Sequence, residues 1–392
     1  MGIMLNSEQT TLLDKLECWY KNRTKPFFYY SGRAGTGKTT VVAALLERLG
    51  MDPGHYVSCA YVGKAVMVLL RKGYNASTLH SLMYNVIIEN IKDVTYNEDG
   101  DELIRHKLKM HFELKEKLSE VIELIIVDEC KMVPDKMITE LMSFGKPIIF
   151  MGDENQLPPV MGSCEILSKP DFVLNEIMRQ AEDDPIVMIA NWILDDKPLY
   201  YGNYGDSKIV DRITFDKHLL TDYDMILCGK NKTRDMLNNR IREDILHLER
   251  NQLYIGEKLV CRQNNWNEAV GDIYLTNGMV GFVDDIHRRY GGKKFMTIDF
   301  RPDFLDTGFE MLRLDKEYFY LPYEDRLDYG ISQYNKFEYG YVLTTHLAQG
   351  SEGDDILFVD EMMHSSDTTR RLRYTGVTRA KRSITFVTQY GY

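Results

Sequence analysis

A chain of 392 residues with 44% hydrophobic side chains is long enough for two to three domains, each with its own core. It contains no run of about 18 apolar residues, and its start, Met-Gly-Ile-Met-Leu-Asn, has neither a signal-peptide core nor the Ser or Thr of a myristoylation site. No membrane association and a cytoplasmic location are therefore expected, and the net charge of −11 weighs, taken globally, against a nucleic-acid footprint.

In chain order, a helix is expected from about Ser7 to Tyr20. The segment from Pro26 to Thr40 then reads as a buried strand, a glycine-rich loop and a helix, with G-x-x-x-x-G-K-T at Gly32, Gly37, Lys38 and Thr39. This is a phosphate-binding loop: its glycines let backbone N–H groups close around phosphate oxygens, and the following helix aims the positive end of its dipole at them. Lys38 is expected at the β/γ-phosphates and Thr39 at Mg²⁺, with Ala34, Gly35, Thr36 and Thr40 completing the cradle. ATP and Mg²⁺ are the expected cofactors.

Alternating segments follow at Tyr56–Tyr61, Ala65–Leu70, Glu123–Val127 and Pro147–Met151, the βα pattern of a parallel sheet. The stretch from about Tyr84 to Ser119 interrupts it and reads as an inserted hairpin turning at Asp99-Gly100. A second βα series begins at Met225–Cys228 and resumes at Tyr339–Thr344, Ile356–Val359 and Ile384–Val387. Between these lie short alternating runs, Lys258–Cys261, Ile273–Thr276, Val280–Ile286 and Phe295–Phe300, with a tight turn at Asn277-Gly278. A small antiparallel barrel is expected there, with an irregular β-rich loop as the alternative. The expected organisation is α/β: a first core over 1–180 carrying a hairpin at about 84–119, a second core over 181–250 plus 338–392, and a barrel over 251–337. No extra domain is expected to flank the cores.

Glu123-Leu-Ile-Ile-Val-Asp-Glu129 is a continuous apolar strand that delivers two acids at its C-terminal end, the edge where parallel sheets build sites. Asp128 suits Mg²⁺, and Glu129 is placed to orient and deprotonate the water attacking a γ-phosphate. The loop Gly152-Asp-Glu-Asn-Gln-Leu-Pro-Pro-Val160 offers Asp153 and Gln156, the latter a neutral γ-phosphate sensor. Arg179 and Arg379 are candidate arginine fingers. Two basic stretches stand out against the acidic background. Residues 229–242 hold five basic side chains against one Asp, and Arg370, Arg371, Arg373, Arg379, Lys381 and Arg382 fall within 368–382 without an acid. Each reads either as a nucleic-acid contact or as a solvated helix face. The cysteines at 18, 59, 130, 164, 228 and 261 include no C-x-x-C and read as free thiols.

Over nearly the whole chain, these motifs in this order resemble superfamily 1 DNA helicases of the RecD/Dda type, including those of bacteriophages. Asn6-Ser7-Glu8-Gln9 is similar to the adenine-reading glutamine motif, which makes Gln9 the expected contact, although an ordinary helix-start glutamine reads the same way. Ala60-Tyr-Val-Gly-Lys-Ala65 resembles a segment in which Lys64 meets nucleic acid, but Tyr61 and Val62 replace its Pro and Thr. Ser77-Thr-Leu-His-Ser81 implies strand contacts from Thr78 and His80. Thr344-Thr-His-Leu-Ala-Gln-Gly-Ser-Glu352 implies Thr345 and His346 on the strand, with Gly350 and Glu352 nearer ATP. Tyr374-Thr-Gly-Val-Thr-Arg-Ala380 resembles the last motif, with Arg379 as its finger.

The resemblance implies two RecA-like cores, an SH3-like barrel and a hairpin that acts as a strand-separating pin, here over 94–106. It also implies an ATP-driven motor moving 5′ to 3′ on single-stranded DNA and at single/double-strand junctions, acting as a monomer beside replication or recombination proteins, in the host cytoplasm if phage-encoded. Lys230 and Asn231 are the expected strand contacts of the first basic stretch. A phosphate-loop switch or small-molecule kinase, a non-catalytic strand-binding or clamp-loading module, and an RNA helicase remain open as alternatives.

Overall fold

The computed structural model describes residues 4–96, 102–158, 165–178, 183–271, 273–330, 332–389 and 391, with backbone alone for 88–96 and 102–110. The chain divides into two compact units, one made of Met1–Thr78, Ser119–Gln252 and Gly340–Tyr392, the other of Leu79–Leu118 and Leu253–Tyr339.

The first unit holds two six-stranded sheets. In one, β1 (Phe27–Gly32), β2 (Tyr56–Ala60), β3 (Ala76–Thr78), β6 (Leu124–Val127), β7 (Ile148–Gly152) and β8 (Phe172–Leu174) are ordered β3-β2-β6-β7-β1-β8. Every pairing is parallel. Strands β2, β6 and β7 are buried along their length, and β6 and β7 read as unbroken apolar runs, as strands covered on both faces do. Helix Ser7–Asn22 opens with a capping box between Asn6 and Gln9. Its Leu12 and Leu16 pack with Val41 and Leu45 of helix Lys38–Leu49 onto Ile126, Ile149 and Met151.

The other sheet joins β9 (Gly202–Tyr204), β10 (Ser207–Asp211), β11 (Met225–Cys228), β19 (Val342–Thr344), β20 (Gly353–Val359) and β21 (Ala380–Thr388), ordered β19-β11-β20-β21-β10-β9. Only the β9–β10 pairing is antiparallel. The α/β, parallel-sheet architecture expected from the sequence is thus observed.

In the second unit, β4 (Tyr84–Tyr96) and β5 (Glu102–Leu114) form a long antiparallel hairpin in register from Tyr84↔Leu114 to Tyr96↔Glu102. Its expected turn at Asp99-Gly100 lies outside the described residues, as does the tip of the segment 94–106. A five-stranded antiparallel sheet combines β12 (Lys258–Cys261), β15 (Val280–Ile286), β16 (Phe295–Pro302), β17 (Phe309–Asp315) and β18 (Phe337–Tyr339), ordered β17-β16-β15-β12-β18. A ribbon of β13 (Asn265–Val270) and β14 (Ile273–Leu275) accompanies it. Gly278 takes φ +87° in the turn after Asn277, a conformation that glycine alone adopts without strain.

One expectation is corrected. Tyr339–Thr344 is not one strand: its start pairs with β12 in the second unit, whereas Val342–Thr344 pairs with β11 in the first. The hairpin and the antiparallel sheet, more than 130 positions apart in the chain, cluster as one compact unit.

Candidate nucleotide and nucleic-acid sites

The strand β1 delivers the phosphate loop at its C-terminal end. Gly35 and Gly37 take φ +79° and +74°, and a Cβ at Gly37 would lie 2.4 Å from Gln9 Nε2. A cavity of about 360 Å³ lies against this loop, lined by Arg33, Gly35, Gly37, Lys38, Thr39 and Met178 among others. The Lys38 ammonium folds back on the loop, donating to the carbonyls of Gly32 (2.7 Å) and Arg33 (3.2 Å). Thr36 is buried, with its hydroxyl on the Arg33 carbonyl (2.8 Å). Thr40 lies in the first turn of helix Lys38–Leu49.

Gln9 is fully buried. Its oxygen accepts from Asn6 N–H (3.0 Å) and its nitrogen donates to the Thr36 carbonyl (2.9 Å). It is thus a helix-start residue that also braces the phosphate loop. The loop is held from another side as well, since Met178 N–H donates to the Gly35 carbonyl (2.9 Å). The neighbouring Arg179 lies outside the described residues.

Asp128 and Glu129 emerge together from β6. Burial first, and then the Glu129 carboxylate, push the Asp128 carboxyl up to about 6, while the Glu129 N–H and the Lys38 ammonium oppose the shift. Glu129 takes φ +48°, a left-handed conformation that costs a non-glycine residue on the order of 1 kcal/mol. Its Oε1 lies 3.4 Å from Arg379 Nη2 of the second sheet. With its amide oriented to satisfy both neighbours, Gln156 donates to Glu129 Oε2 (3.2 Å) and accepts from Arg379 Nη2 (3.1 Å). Residues 129, 156 and 379 are therefore brought into one network. The donor set of Asp128 and Thr39, a carboxylate and a hydroxyl at the loop, is the hard-oxygen chemistry that Mg²⁺ takes.

Helix Ser366–Val377 of the second core docks on the loop after β7. Arg371 donates to the carbonyls of Glu154 (2.5 Å) and Gln156 (3.2 Å), and Thr375 Oγ1 accepts from Leu157 N–H (3.0 Å). From the segment after β19, Gln349 donates to the Leu157 carbonyl (2.9 Å). Gly350, at φ +73°, packs so tightly that a Cβ there would lie 2.5 Å from Val62. Glu352 pairs with Lys381 (3.1 Å).

The expected strand contacts are placed unevenly. Lys230 and Asn231 are exposed at the start of helix Asn231–Arg240. Lys64 sits in the first turn of helix Gly63–Arg71, and Thr78 ends β3. His346 is half-buried, and burial lowers its pKa. The expectation for Thr345 is corrected: it is fully buried, and its hydroxyl donates to the Cys228 carbonyl (3.2 Å). The basic stretches are corrected too. Arg234 and Arg242 are buried, Arg242 on the carbonyls of Glu249, Arg250 and Gln252. Arg370, Arg371, Arg373, Arg379, Lys381 and Arg382 each pair with an acid drawn from outside that stretch, Asp367 from the position directly before it.

In the second unit, sequence reasoning identified His80 but missed its surroundings. Its ring lies 5.8 Å from Tyr84, 5.7 Å from Phe112 and 5.3 Å from Trp266, and Tyr274 packs on Phe112 and Trp266. Burial lowers the His80 pKa, and a cavity of about 130 Å³ opens between the rings. The available signal was the aromatic at each foot of the hairpin, Tyr84 and Phe112, whose register partners are Leu114 and Val86 and whose rings meet diagonally at 5.9 Å.

A family model described as an AAA domain matches residues 4–211, and one described as a UvrD-like helicase C-terminal domain matches 339–387. The chain is 26% identical to the ATP-dependent RecD2 DNA helicase of Deinococcus radiodurans over 96% of its own length and 48% of that protein's. It is 27% identical to an uncharacterized protein of Acanthamoeba polyphaga mimivirus, over 71% of this chain and 65% of the other. The chain thus spans less than two thirds of either relative. A solved structure of Pif1 helicases, concerned with DNA unwinding at forked duplex DNA, shares the fold. Its TM-score is 0.50 at 17% identity, covering 99% of this chain and 94% of that one.

Proposed function

Because the chain belongs to the AAA-domain family, as a RecD/Pif1-like member of helicase superfamily 1, we propose that it is an ATP-driven motor on single-stranded DNA that unwinds duplex ahead of it in the 5′ to 3′ direction. One observation carries this reading: Arg379 of the second sheet reaches Glu129 and Gln156 of the first, so the hydrolytic site is complete only when the two cores meet. A simple switch or small-molecule kinase has no use for a second core there.

ATP enters the cavity against the phosphate loop, and Lys38 exchanges its carbonyl partners for β/γ-phosphate oxygens while the amides of Gly35 to Thr40 bind the remainder; Ala34, whose amide is held by the Tyr374 hydroxyl, shapes the loop. Gln9 holds the loop from behind. Thr39 and Asp128 would hold Mg²⁺, which would supply neutralisation of the phosphate charge. Glu129 takes a proton from water as its oxygen attacks the γ-phosphorus, the bond to the bridging oxygen breaks, and ADP leaves. Gln156 senses the γ-phosphate, while Arg379 and Arg179 stabilise the charge spread over it. Gly350 and Glu352 line the second core's side of the nucleotide.

The strand runs over Lys64, Thr78, His346, Lys230 and Asn231 of the first unit; in the second unit, His80 and the aromatic rings around it offer bases a stacking site, each stack worth about 1–3 kcal/mol. Each nucleotide state favours one arrangement of the cores, so alternating grip moves the strand. The hairpin serves as the separating pin and the antiparallel sheet as an SH3-like barrel. Duplexes with 5′ or 3′ single-stranded tails test this directly. Unwinding of the 5′-tailed substrate alone, with hydrolysis stimulated by single-stranded DNA, is expected; turnover indifferent to saturating oligonucleotide at low salt returns the chain to the switch or kinase class. RNA oligonucleotides in parallel decide the nucleic acid.

A further inference from the structure

We propose that the hydroxyl of Tyr374 is a positioning group for ATP hydrolysis, tying an amide of the phosphate loop to Asp153 and so making the shape of that loop depend on docking of the second core. The proposal rests on the hydrolytic reading above and adds a residue to it. Tyr374 lies in helix Ser366–Val377 and is fully buried. Its hydroxyl donates to Asp153 Oδ2 (2.5 Å) and accepts from Ala34 N–H (2.8 Å). The other Asp153 oxygen is committed to Asn155, at 2.9 Å from its backbone N–H and 3.1 Å from Nδ2. Burial and the adjacent carboxylate hold the phenol pKa well above its ordinary value, so it stays a donor at any physiological pH.

Position in the loop gives this contact its consequence. Ala34 directly follows Arg33, whose carbonyl accepts from both Lys38 and Thr36, and directly precedes Gly35, whose carbonyl accepts from Met178. A shift of the Ala34 amide therefore moves the groups that hold the phosphate-binding lysine. The same helix grips the loop after β7 through Arg371 and Thr375, and Tyr374 carries that docking onward to the phosphate loop. An undocked second core leaves the Ala34 amide to water. A docked one fixes it through Tyr374, which lies five residues ahead of the finger Arg379.

Tyr374→Phe keeps the ring and removes the hydroxyl. The expected result is a kcat for DNA-stimulated hydrolysis lower by roughly tenfold, the size of one lost hydrogen bond to a charged group, with KM for ATP within about twofold because the phosphate contacts themselves remain. Hydrogen exchange at the peptide containing Ala34 should quicken in the variant while the rest of the first core is unchanged. A merely structural tyrosine would lower the thermal midpoint and leave kcat per folded molecule alone; that outcome, or unchanged exchange at Ala34, overturns the proposal. Should Tyr374→Phe fail to fold, Asp153→Asn weakens the same bond at constant shape and must show the same split. Wild-type protein without DNA-stimulated turnover would instead overturn the functional reading, a distinct result because Ala34 exchange is measured without turnover.

Discussion

The carboxylate of Glu129 and the guanidinium of Arg379, 250 positions apart in the chain, meet at 3.4 Å with Gln156 bridging them. If Arg379 is the finger and Glu129 the base, as proposed above, the γ-phosphate has to enter between them. Arg379→Ala is expected to reduce kcat by a factor on the order of 10³ while ATP binding persists, the magnitude an arginine finger supplies. Glu129→Gln should likewise retain nucleotide binding and lose hydrolysis by about 10²–10⁴. Nucleotide titration by fluorescence together with phosphate release checks both, and loss of binding in either variant contradicts the assignment.

Asp128 carries a pH signature. Its carboxyl stands at about 6 in the folded chain against an ordinary 3.8. Because the folded value is raised, the ionised group costs stability above about pH 6, and the chain recovers that stability as pH falls from 6 toward 4, where the folded state takes up the proton first. With Asp128 as the proposed Mg²⁺ ligand, activity moves the opposite way, since metal binding needs the carboxylate. The hydrolysis rate should fall as pH drops below about 6, and raising Mg²⁺ should push that limb to lower pH. A limb insensitive to Mg²⁺ would assign it to another group.

Gly37→Ala places a methyl at φ +74°, 2.4 Å from Gln9 Nε2 and 2.7 Å from Met178 Sδ. Left-handed strain costs roughly 1–2 kcal/mol, and the displaced Gln9 releases the Thr36 carbonyl. Denaturant unfolding should show that loss, and the KM for ATP should rise because the loop can no longer close on phosphate.

Arg373 binds Asp360 through two contacts of 2.7 Å, and Asp360, 1% exposed, also accepts from Thr388 (2.6 Å). Arg373→Ala leaves a buried carboxylate without its counter-charge and should destabilise the chain by about 3–5 kcal/mol. Paired replacement of Arg373 and Asp360 by apolar residues should restore much of that loss. A double-mutant cycle in urea measures it, and a mild Arg373→Ala would place this arginine among the solvated charges.

Local pattern carried the parallel strands and the phosphate loop because a strand covered on both faces must be apolar throughout, and a phosphate loop must have glycine where φ is positive. It failed at Tyr339–Thr344, where one apolar run serves two sheets and nothing local marks the exchange at Gly340. It also failed for the basic stretches. Charge along the chain does not show that Arg382 pairs with Asp355 or that Arg242 caps three carbonyls inside the core.

The sequence by itself determined that the chain has a G-x-x-x-x-G-K-T loop between a strand and a helix, an Asp128-Glu129 strand end and two βα series, since each depends on residues adjacent along the backbone. Tertiary structure alone decided which charges remain available for a partner, that Thr345 is a core residue, and that Tyr374 reaches the phosphate loop. Those facts depend on distances between residues hundreds of positions apart, and burial and hydrogen bonding across such distances are set by how the sheets pack.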